Sequence, residues 1–240
     1  MLSAFNALRF PPVLDTILFG ALPYVAMVLF LVVSITRYRR DPFTFSSLSS
    51  QFLETRKLFW GSVPFHVGIL TLFFGHLIGF LLPRELTAFN RVPLRLFVFE
   101  ASGLVAAFLS LLGLTGLIVR RATSARLRVN TTVADIVVYV LLLFQILTGL
   151  WVATELRWGS AWFTQAVVPY LRSIFLFQPD VPRMVELPMP LQLHVLGAFV
   201  FFAAFSYTRL VHALVAPVPY LWRPNQVVIW NRPRGEQTPR

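Results

Sequence analysis

Four histidines are the residues of this 240-residue sequence whose type and spacing could do chemistry. His66, His76, His194 and His212 all fall inside long apolar segments, and none lies in a polar loop. An ionisable residue in a membrane segment is costly and usually faces a partner inside the helix bundle, which makes it a functional candidate. Two imidazoles that face each other from different helices can hold the iron of a b-type haem. The histidines therefore indicate a redox cofactor.

The composition places these histidines in a membrane. Hydrophobic residues make up 57% of the chain, charged residues only 13%, and the mean hydropathy is +0.71. Soluble domains have about 25% charged residues, and the 24 Phe of this chain are the opposite of a disordered composition. The sequence is therefore that of an integral membrane protein.

Cysteine is absent, which excludes disulfides, thiolate ligation of iron–sulfur clusters, covalently attached c-type haem and thiol catalysis. Redox chemistry must then use histidine or a bound cofactor. The net charge of +11 would suggest nucleic-acid binding in a soluble protein. In a membrane protein such an excess is typical of cytoplasmic loops, so we expect no nucleic-acid partner.

Five segments are long enough to cross a hydrocarbon core of about 30 Å, which takes about 20 residues. They are 17–36, 60–82, 96–119, 133–153 and 190–215. The predicted fold class is an all-α integral membrane protein whose five transmembrane helices form a haem-binding bundle. Residues 1–215 make the membrane domain, and the proline-rich residues 216–240 make a cytoplasmic arm that contacts partner subunits. No signal-peptide pattern is evident, so the first segment is expected to insert by itself.

Basic residues set the predicted orientation, because most of the 21 Lys and Arg fall on one side of the five segments. The positive-inside rule then places the N-terminus outside and the C-terminus in the cytoplasm. The longest connection, 154–189, is rich in aromatic residues and favours a short interfacial helix on the outer surface. A sixth span is disfavoured because Pro169 and Arg172 would lie in the middle of the membrane.

The histidine spacing predicts two pairs at different depths. His66 and His76 lie ten residues apart, about 15 Å along a helix axis. His194 and His212 lie eighteen residues apart, about 27 Å or five turns, and so on one face of a straight helix. Because the two segments run in opposite directions, His66 pairs in depth with His212 and His76 with His194. A tilt between the helices is then needed to reconcile the separation of about 15 Å in one segment with that of about 27 Å in the other.

Three other interpretations of the histidines stay open at this point. They could form hydrogen bonds between helices with no cofactor. A zinc site is disfavoured, because the pairs lie far apart and no carboxylate sits beside them. A proton relay would need acidic residues that the spans almost entirely lack. The nearby glycines either admit a macrocycle or permit close helix packing, and they are Gly68, Gly75, Gly79, Gly103, Gly113, Gly116, Gly149 and Gly197.

Three stretches carry a recognisable pattern, FHVGILTLFFGHLIGFLLP (65–83), TTVADIVVYVLLLFQILTGL (131–150) and LHVLGAFVFFAAFSYTRLVHALVAPVPYL (193–221). The histidine spacings of ten and eighteen belong to it, and so does the R-x-x-H ending at Arg209 and His212. With these motifs the sequence resembles the gamma subunit of respiratory nitrate reductase, a five-span dihaem cytochrome b. The resemblance covers most of the chain and weakens in the first span, the 154–189 connection and the tail.

The resemblance implies a metal-ligating role for every histidine. His66 and His212 would hold the haem nearer the cytoplasm, and His76 and His194 would hold the outer haem. The subunit would oxidise menaquinol or ubiquinol and pass electrons inward to an iron–sulfur beta subunit. A molybdenum alpha subunit would then reduce nitrate in anaerobic nitrate respiration. The chain would lie in the cytoplasmic membrane of a bacterium or archaeon, among lipid, with its partner subunits on the cytoplasmic side.

The quinol site is less closely matched to the family pattern. Family members carry a basic residue for the quinol just before the third span, whereas residues 84–95 of this chain contain no lysine. Arg91 and Arg95 are the candidates to replace it, with His76 and Gly75 as the neighbouring quinol-binding residues.

Further charged residues have candidate roles. Protons from quinol would leave outward through Glu85 or Glu100, although Glu100 could instead pair with Arg95. Arg209 is the best candidate to bind a haem propionate, since it lies within a span. Arginines at the inner surface could do the same or act only as positive-inside anchors, and they are Arg37, Arg39, Arg120 and Arg121.

Two rival functions remain on the sequence alone. The same dihaem scaffold could serve another reductase, for example one acting on sulfur compounds. In a different class, the chain could be a membrane anchor or transporter that binds no haem.

Overall fold

The computed structural model describes residues 10–45, 58–156 and 158–215, and within these ranges the regular structure is helical throughout. The long helices are α1 (Pro12–Arg40), α2 (Leu58–Leu81), α4 (Pro93–Thr123), α6 (Val133–Glu155) and α9 (Met189–Phe205). The shorter ones are α3 (Pro83–Phe89), α5 (Ala125–Val129), α7 (159–175), α8 (Val181–Val185), a turn at Pro42–Thr44 and the His212 helix (Arg209–Val215). The predicted all-α class is confirmed.

The membrane spans match the predicted segments. Within the described residues, α1, α2, α4 and α6 are each long and apolar enough to cross a membrane. Helix α9 and the His212 helix make a fifth span if they are counted together. The predicted arm at 216–240 lies outside the described residues.

The last span is bent. Helix α9 ends at Phe205, and the His212 helix continues at an angle of 86° to it. The prediction that His194 and His212 lie on one face of a straight helix is therefore wrong. The distance of about 27 Å that a straight helix would impose between them therefore does not apply.

A half-buried arginine holds the bend. Arg37 at the end of α1 donates from Nη1 to the carbonyl oxygens of Ser206 at 2.9 Å and Thr208 at 3.0 Å. The Ser206 hydroxyl donates to the carbonyl oxygen of Phe30. The Ser34 hydroxyl oxygen lies 2.6 Å from the Ser206 hydroxyl oxygen. These bonds satisfy carbonyl groups that the interrupted helix leaves without partners. Arg37 thus holds the bend, and a role of Arg37 toward a propionate stays a prediction.

Helices α2 and α4 approach each other closely enough for their backbones to touch. A Cβ atom added to Gly68 would collide with the carbonyl oxygen of Ala106, and one added to Gly113 would collide with the backbone nitrogen of Phe65. Small residues permit such approach in membrane bundles, where dispersion contacts and hydrogen bonds replace the hydrophobic effect between helices. The packing interpretation is therefore confirmed for these two glycines.

The aromatic connection folds as helix α7, which packs into the bundle with one face. Val167, Tyr170 and Ile174 are at most 3% exposed and belong to a core that they share with residues of α1 and α9. Arg172 donates to the carbonyl oxygen of Phe80 at 3.0 Å, near the end of α2. The predicted helix is present, but it closes one end of the bundle instead of only lying on its surface.

Tyr170→Phe is expected to lower the free energy of unfolding by about 1–2 kcal/mol. The buried Tyr170 hydroxyl donates to the carbonyl oxygen of Phe19 at 2.7 Å, and burial raises its pKa, so it remains a protonated donor. Without it that carbonyl loses a buried partner. Denaturant unfolding in detergent measures the change. Tyr207→Phe, at a ring that is 57% exposed, is the control and should be neutral. Equal effects of the two substitutions would contradict the assignment.

Candidate functional site

The four histidines lie on three helices. His66 and His76 are on α2 with exposed side chains, His194 is on α9, and His212 is on the bent segment that follows it. Because consecutive spans run in opposite directions, His66 and His212 belong to one end of the bundle. His76 and His194 lie toward the opposite end, where α7 packs.

The structure brings His76 and His194 together. Their ring centroids are 6.3 Å apart and their planes make an angle of 38°. Two metal–nitrogen bonds of about 2 Å each, plus about 1 Å from each nitrogen to its ring centre, would separate two imidazoles on one metal by about 6 Å. The pair therefore fits one metal ion held between two rings.

The structure does not bring the His66 and His212 rings into contact. Among the described side chains, these two rings make no contact with each other, and His66 instead lies edge-on to Phe65 at 5.3 Å. Within the same ranges no group of three or more His, Cys, Asp or Glu side chains could hold a metal ion. A site built from these residues would thus use two protein ligands per metal, as a haem with two axial ligands does.

The hydrogen bonds at Nδ1 determine which nitrogen of each ring can bind a metal. In three histidines Nδ1 donates to a backbone carbonyl of the same helical turn at 2.6–2.7 Å; the pairs are His66 with Ser62, His76 with Leu72, and His212 with Arg209. A proton on Nδ1 leaves the lone pair on Nε2. Bonds of this kind orient ligating histidines and raise their basicity.

In His194 the same tautomer is stabilised by a side chain of a different helix, α6. Its Nδ1 lies 3.1 Å from Oγ1 of Thr148 on α6. The Thr148 hydroxyl donates its proton to the carbonyl oxygen of Phe144 at 2.8 Å, so it accepts from His194. Nε2 of His194 is again the nitrogen with the lone pair. His66, His76 and His212 are thus prepared as Nε2 ligands, and His194 is prepared in the same way in the tautomer in which Thr148 accepts from Nδ1.

Gln145 also contacts His194, one turn before Thr148 on α6. Its Nε2 donates to the carbonyl oxygen of His194 at 3.2 Å and lies 3.3 Å from both ring nitrogens, and so over the ring. Gly149 also lies against the ring, since an added Cβ there would be 3.0 Å from its Cε1. Sequence reasoning missed Gln145 and Thr148, although two polar residues three apart in an apolar span were a usable signal.

The glycines near the histidines fall into two groups. Gly79 is packed, with an added Cβ 2.8 Å from the ring of Phe163. Gly75, beside His76, has no atom within 4 Å of an added Cβ. Open space at this position is what a flat cofactor or a quinol beside His76 would need, whereas Gly79 serves helix packing.

Comparison with known proteins decides the family. The nitrate reductase gamma subunit family matches residues 15–231. The chain belongs to the nitrate reductase gamma subunit family. It is 36% identical over 211 residues to the nitrate reductase gamma chain of Bacillus subtilis, covering 86% of this chain and 94% of that one. It is 32% identical to the respiratory nitrate reductase 2 gamma chain of Escherichia coli, and the match covers 90% of this chain and 96% of that one.

A longer relative contains the same unit. The chain is 37% identical over 224 residues to the nitrate reductase-like protein NarX of Mycobacterium tuberculosis. The matched region is 88% of this chain but only 34% of that protein. Family membership makes this gamma subunit a membrane component of a nitrate reductase that associates with other subunits.

One buried carboxylate organises the His212 end of the gamma subunit. Asp135, 7% exposed, accepts from Arg121 Nη1 at 3.1 Å and pairs with Arg209 Nε at 2.9 Å. It also caps α6 by accepting from the backbone nitrogen of Thr132. The ion pair fixes the helix that carries His212 against the start of α6. The role of Arg209 toward a propionate stays a prediction.

Asp135→Asn is expected to destabilise the gamma subunit by about 3 kcal/mol, because the buried carboxylate that pairs with both Arg121 and Arg209 loses its charge. Asp180→Asn is the matched control. Asp180 pairs with Arg183 at 2.8 Å, and the hydrogen bond from Arg183 lowers its pKa, but both side chains are exposed. Exposed pairs contribute about 0–1 kcal/mol. Thermal unfolding in detergent compares the two, and equal losses would argue against a special role for Asp135.

The two arginines predicted to bind quinol lie in the turn after α3 and in the first turn of α4. Arg91 is exposed in the turn, and the Arg95 guanidinium lies 5.5 Å from the centre of the Phe89 ring. Arg95 also lines an open cavity of about 350 Å³ whose other walls are mostly apolar; they are Phe89, Leu94, Val98, Phe99 and Ser102. No described contact joins either arginine to His76.

Glu100 has a different partner from the one considered for it. Its Oε1 accepts from the backbone nitrogen of Ser160 at 2.9 Å and from the Ser160 hydroxyl at 2.5 Å. The suggested pair with Arg95 is therefore wrong. Glu100 caps the start of α7, where a carboxylate is favourable to the helix dipole. Glu85 is exposed on α3.

Proposed function

We propose that this gamma subunit binds two b-type haems and oxidises quinol for its nitrate reductase. One haem lies between His76 and His194, and the other between His66 and His212. The single observation that carries the proposal is that each ring has an oxygen atom within hydrogen-bond distance of Nδ1, which directs Nε2 toward a metal. When bound, each haem iron accepts and releases one electron between its axial imidazoles.

The protein residues prepare these sites in advance. Backbone carbonyls orient three of the rings, so the imidazoles do not have to reorganise when the metal is bound. The bend at Ser206 and Thr208 and the ion pair of Asp135 with Arg209 hold the His212 helix in place. Family membership supports electron transfer to the other subunits of the reductase, for which we propose the iron–sulfur beta and molybdenum alpha subunits.

Quinol, either menaquinol or ubiquinol, would bind at the His76 end. Open space beside Gly75 leaves His76 accessible there. Arg91 or Arg95 would donate a hydrogen bond to a quinol oxygen, since arginine stays protonated and is a poor base. Exposed Glu85 is the better placed proton acceptor, because Glu100 is held by Ser160.

A reduced-minus-oxidised spectrum of the purified complex tests the proposal. A b-type alpha band that quinol reduces and nitrate reoxidises is expected. Absence of the band would reject haem binding and favour a membrane anchor. A band that nitrate leaves reduced, while another acceptor oxidises it, would reject nitrate reductase as the partner.

A further inference from the structure

His194 differs from the other three histidines in how its tautomer is maintained. The others donate to carbonyls of their own helix, which no side-chain substitution removes. His194 on α9 donates to Thr148 on α6, and both are close to the packed contact of these helices. Thr148 is only 6% exposed, so water does not replace it readily.

We propose that Thr148 is a positioning residue that sets the redox potential of the haem held by His76 and His194. This inference rests on the proposed function. The Thr148 hydroxyl accepts a hydrogen bond from Nδ1–H and donates one to the carbonyl oxygen of Phe144. These two hydrogen bonds connect the ring to the backbone of α6. Such a chain is polarised along its length, and so its acceptor is stronger than an isolated hydroxyl.

The direction of the effect follows from ligand basicity. A strong acceptor at Nδ1 increases the electron density of the imidazole and so stabilises the oxidised iron. Removing that acceptor makes Nε2 a weaker donor, which favours the reduced iron and raises the midpoint potential. The haem of the other pair is unaffected, because neither His66 nor His212 contacts Thr148.

Gln145 keeps the geometry in place when Thr148 is changed. Its amide remains bonded to the carbonyl oxygen of His194 and lies over the ring. Thr148→Val retains the shape of the side chain and removes only the acceptor. We therefore expect haem to be retained in this variant while its potential changes.

The experiment is a spectroelectrochemical titration of the whole complex carrying Thr148→Val. We expect one of the two b-type components to shift to a more positive potential, and we expect the other to stay at its wild-type value. Thr148→Ser, which keeps the hydroxyl, should restore the wild-type potential. Thr154→Val is the matched control on α6, since the Thr154 hydroxyl donates only to carbonyls of its own helix.

His76→Ala identifies which component belongs to the pair, because that component should be missing. Two haems with unshifted potentials in Thr148→Val would overturn the role of Thr148 and leave the proposed function standing. A shift of both components, or an equal shift in Thr154→Val, would also overturn it. Wild-type protein without haem would reject the proposed function itself. Thr148→Ala provides the same test if the valine variant does not accumulate.

Discussion

Substitution of His76 by alanine should remove one b-type haem completely and abolish oxidation of quinol. The ring of His76 lies 6.3 Å from that of His194. In the proposed site each ring would supply one of two ligands, so neither ring alone would hold the haem. His194→Ala should remove the same spectral component, whereas His66→Ala and His212→Ala should remove the other. Visible spectra of the purified complex, with pyridine haemochrome analysis for haem content, measure the losses.

Chemical rescue separates loss of a ligand from loss of fold. His76→Gly leaves space for a free imidazole, which should restore the missing component when it is added to the variant. Loss of the same component from His66→Ala and His194→Ala would contradict the pairing. Full haem content in any of the four variants would contradict the ligand assignment of that residue.

Gly113→Ala is expected to have the largest effect of any single methyl group in the described bundle. The added Cβ would collide with the backbone nitrogen of Phe65 and lie 2.7 Å from the carbonyl oxygen of Gly61. Backbone atoms cannot rotate away, so α2 and α4 must separate. Overpacking of this kind costs about 1–3 kcal/mol. Because Phe65 precedes His66, the component that depends on His66 should weaken first.

Gly103→Ala is the matched control on the same helix. An added Cβ there has no neighbour within 4 Å. Alanine is the better helix former by up to about 1 kcal/mol, so the control should be neutral or slightly stabilising. Thermal unfolding and haem spectra of both variants provide the comparison. Equal stability of the two variants would show that the close contact of α2 and α4 does not limit stability.

The histidines show which features of the site the local sequence pattern predicts and which it does not. Their places in apolar segments and their depths along the spans follow from hydrophobic length and helical rise, which are properties of neighbouring residues. The same reasoning assumed that the last span was a straight helix, and there it failed. The bend depends on Arg37, which lies 169 residues before the carbonyl of Ser206 that it binds. No periodicity in either segment indicates that bond.

The sequence by itself determined that this is a cysteine-free helical membrane protein with four histidines inside its apolar segments, and its motifs placed it in the right family. Only the tertiary structure decided the surroundings of those ligands. Thr148 meets His194, Asp135 meets Arg209, and Gly113 meets Phe65 because α6, α9, α2 and α4 pack in one particular way. Apolar length and helical period are encoded locally. Contacts between distant helices are selected by packing and by the need to pair every buried polar group, so they emerge only when the bundle is assembled.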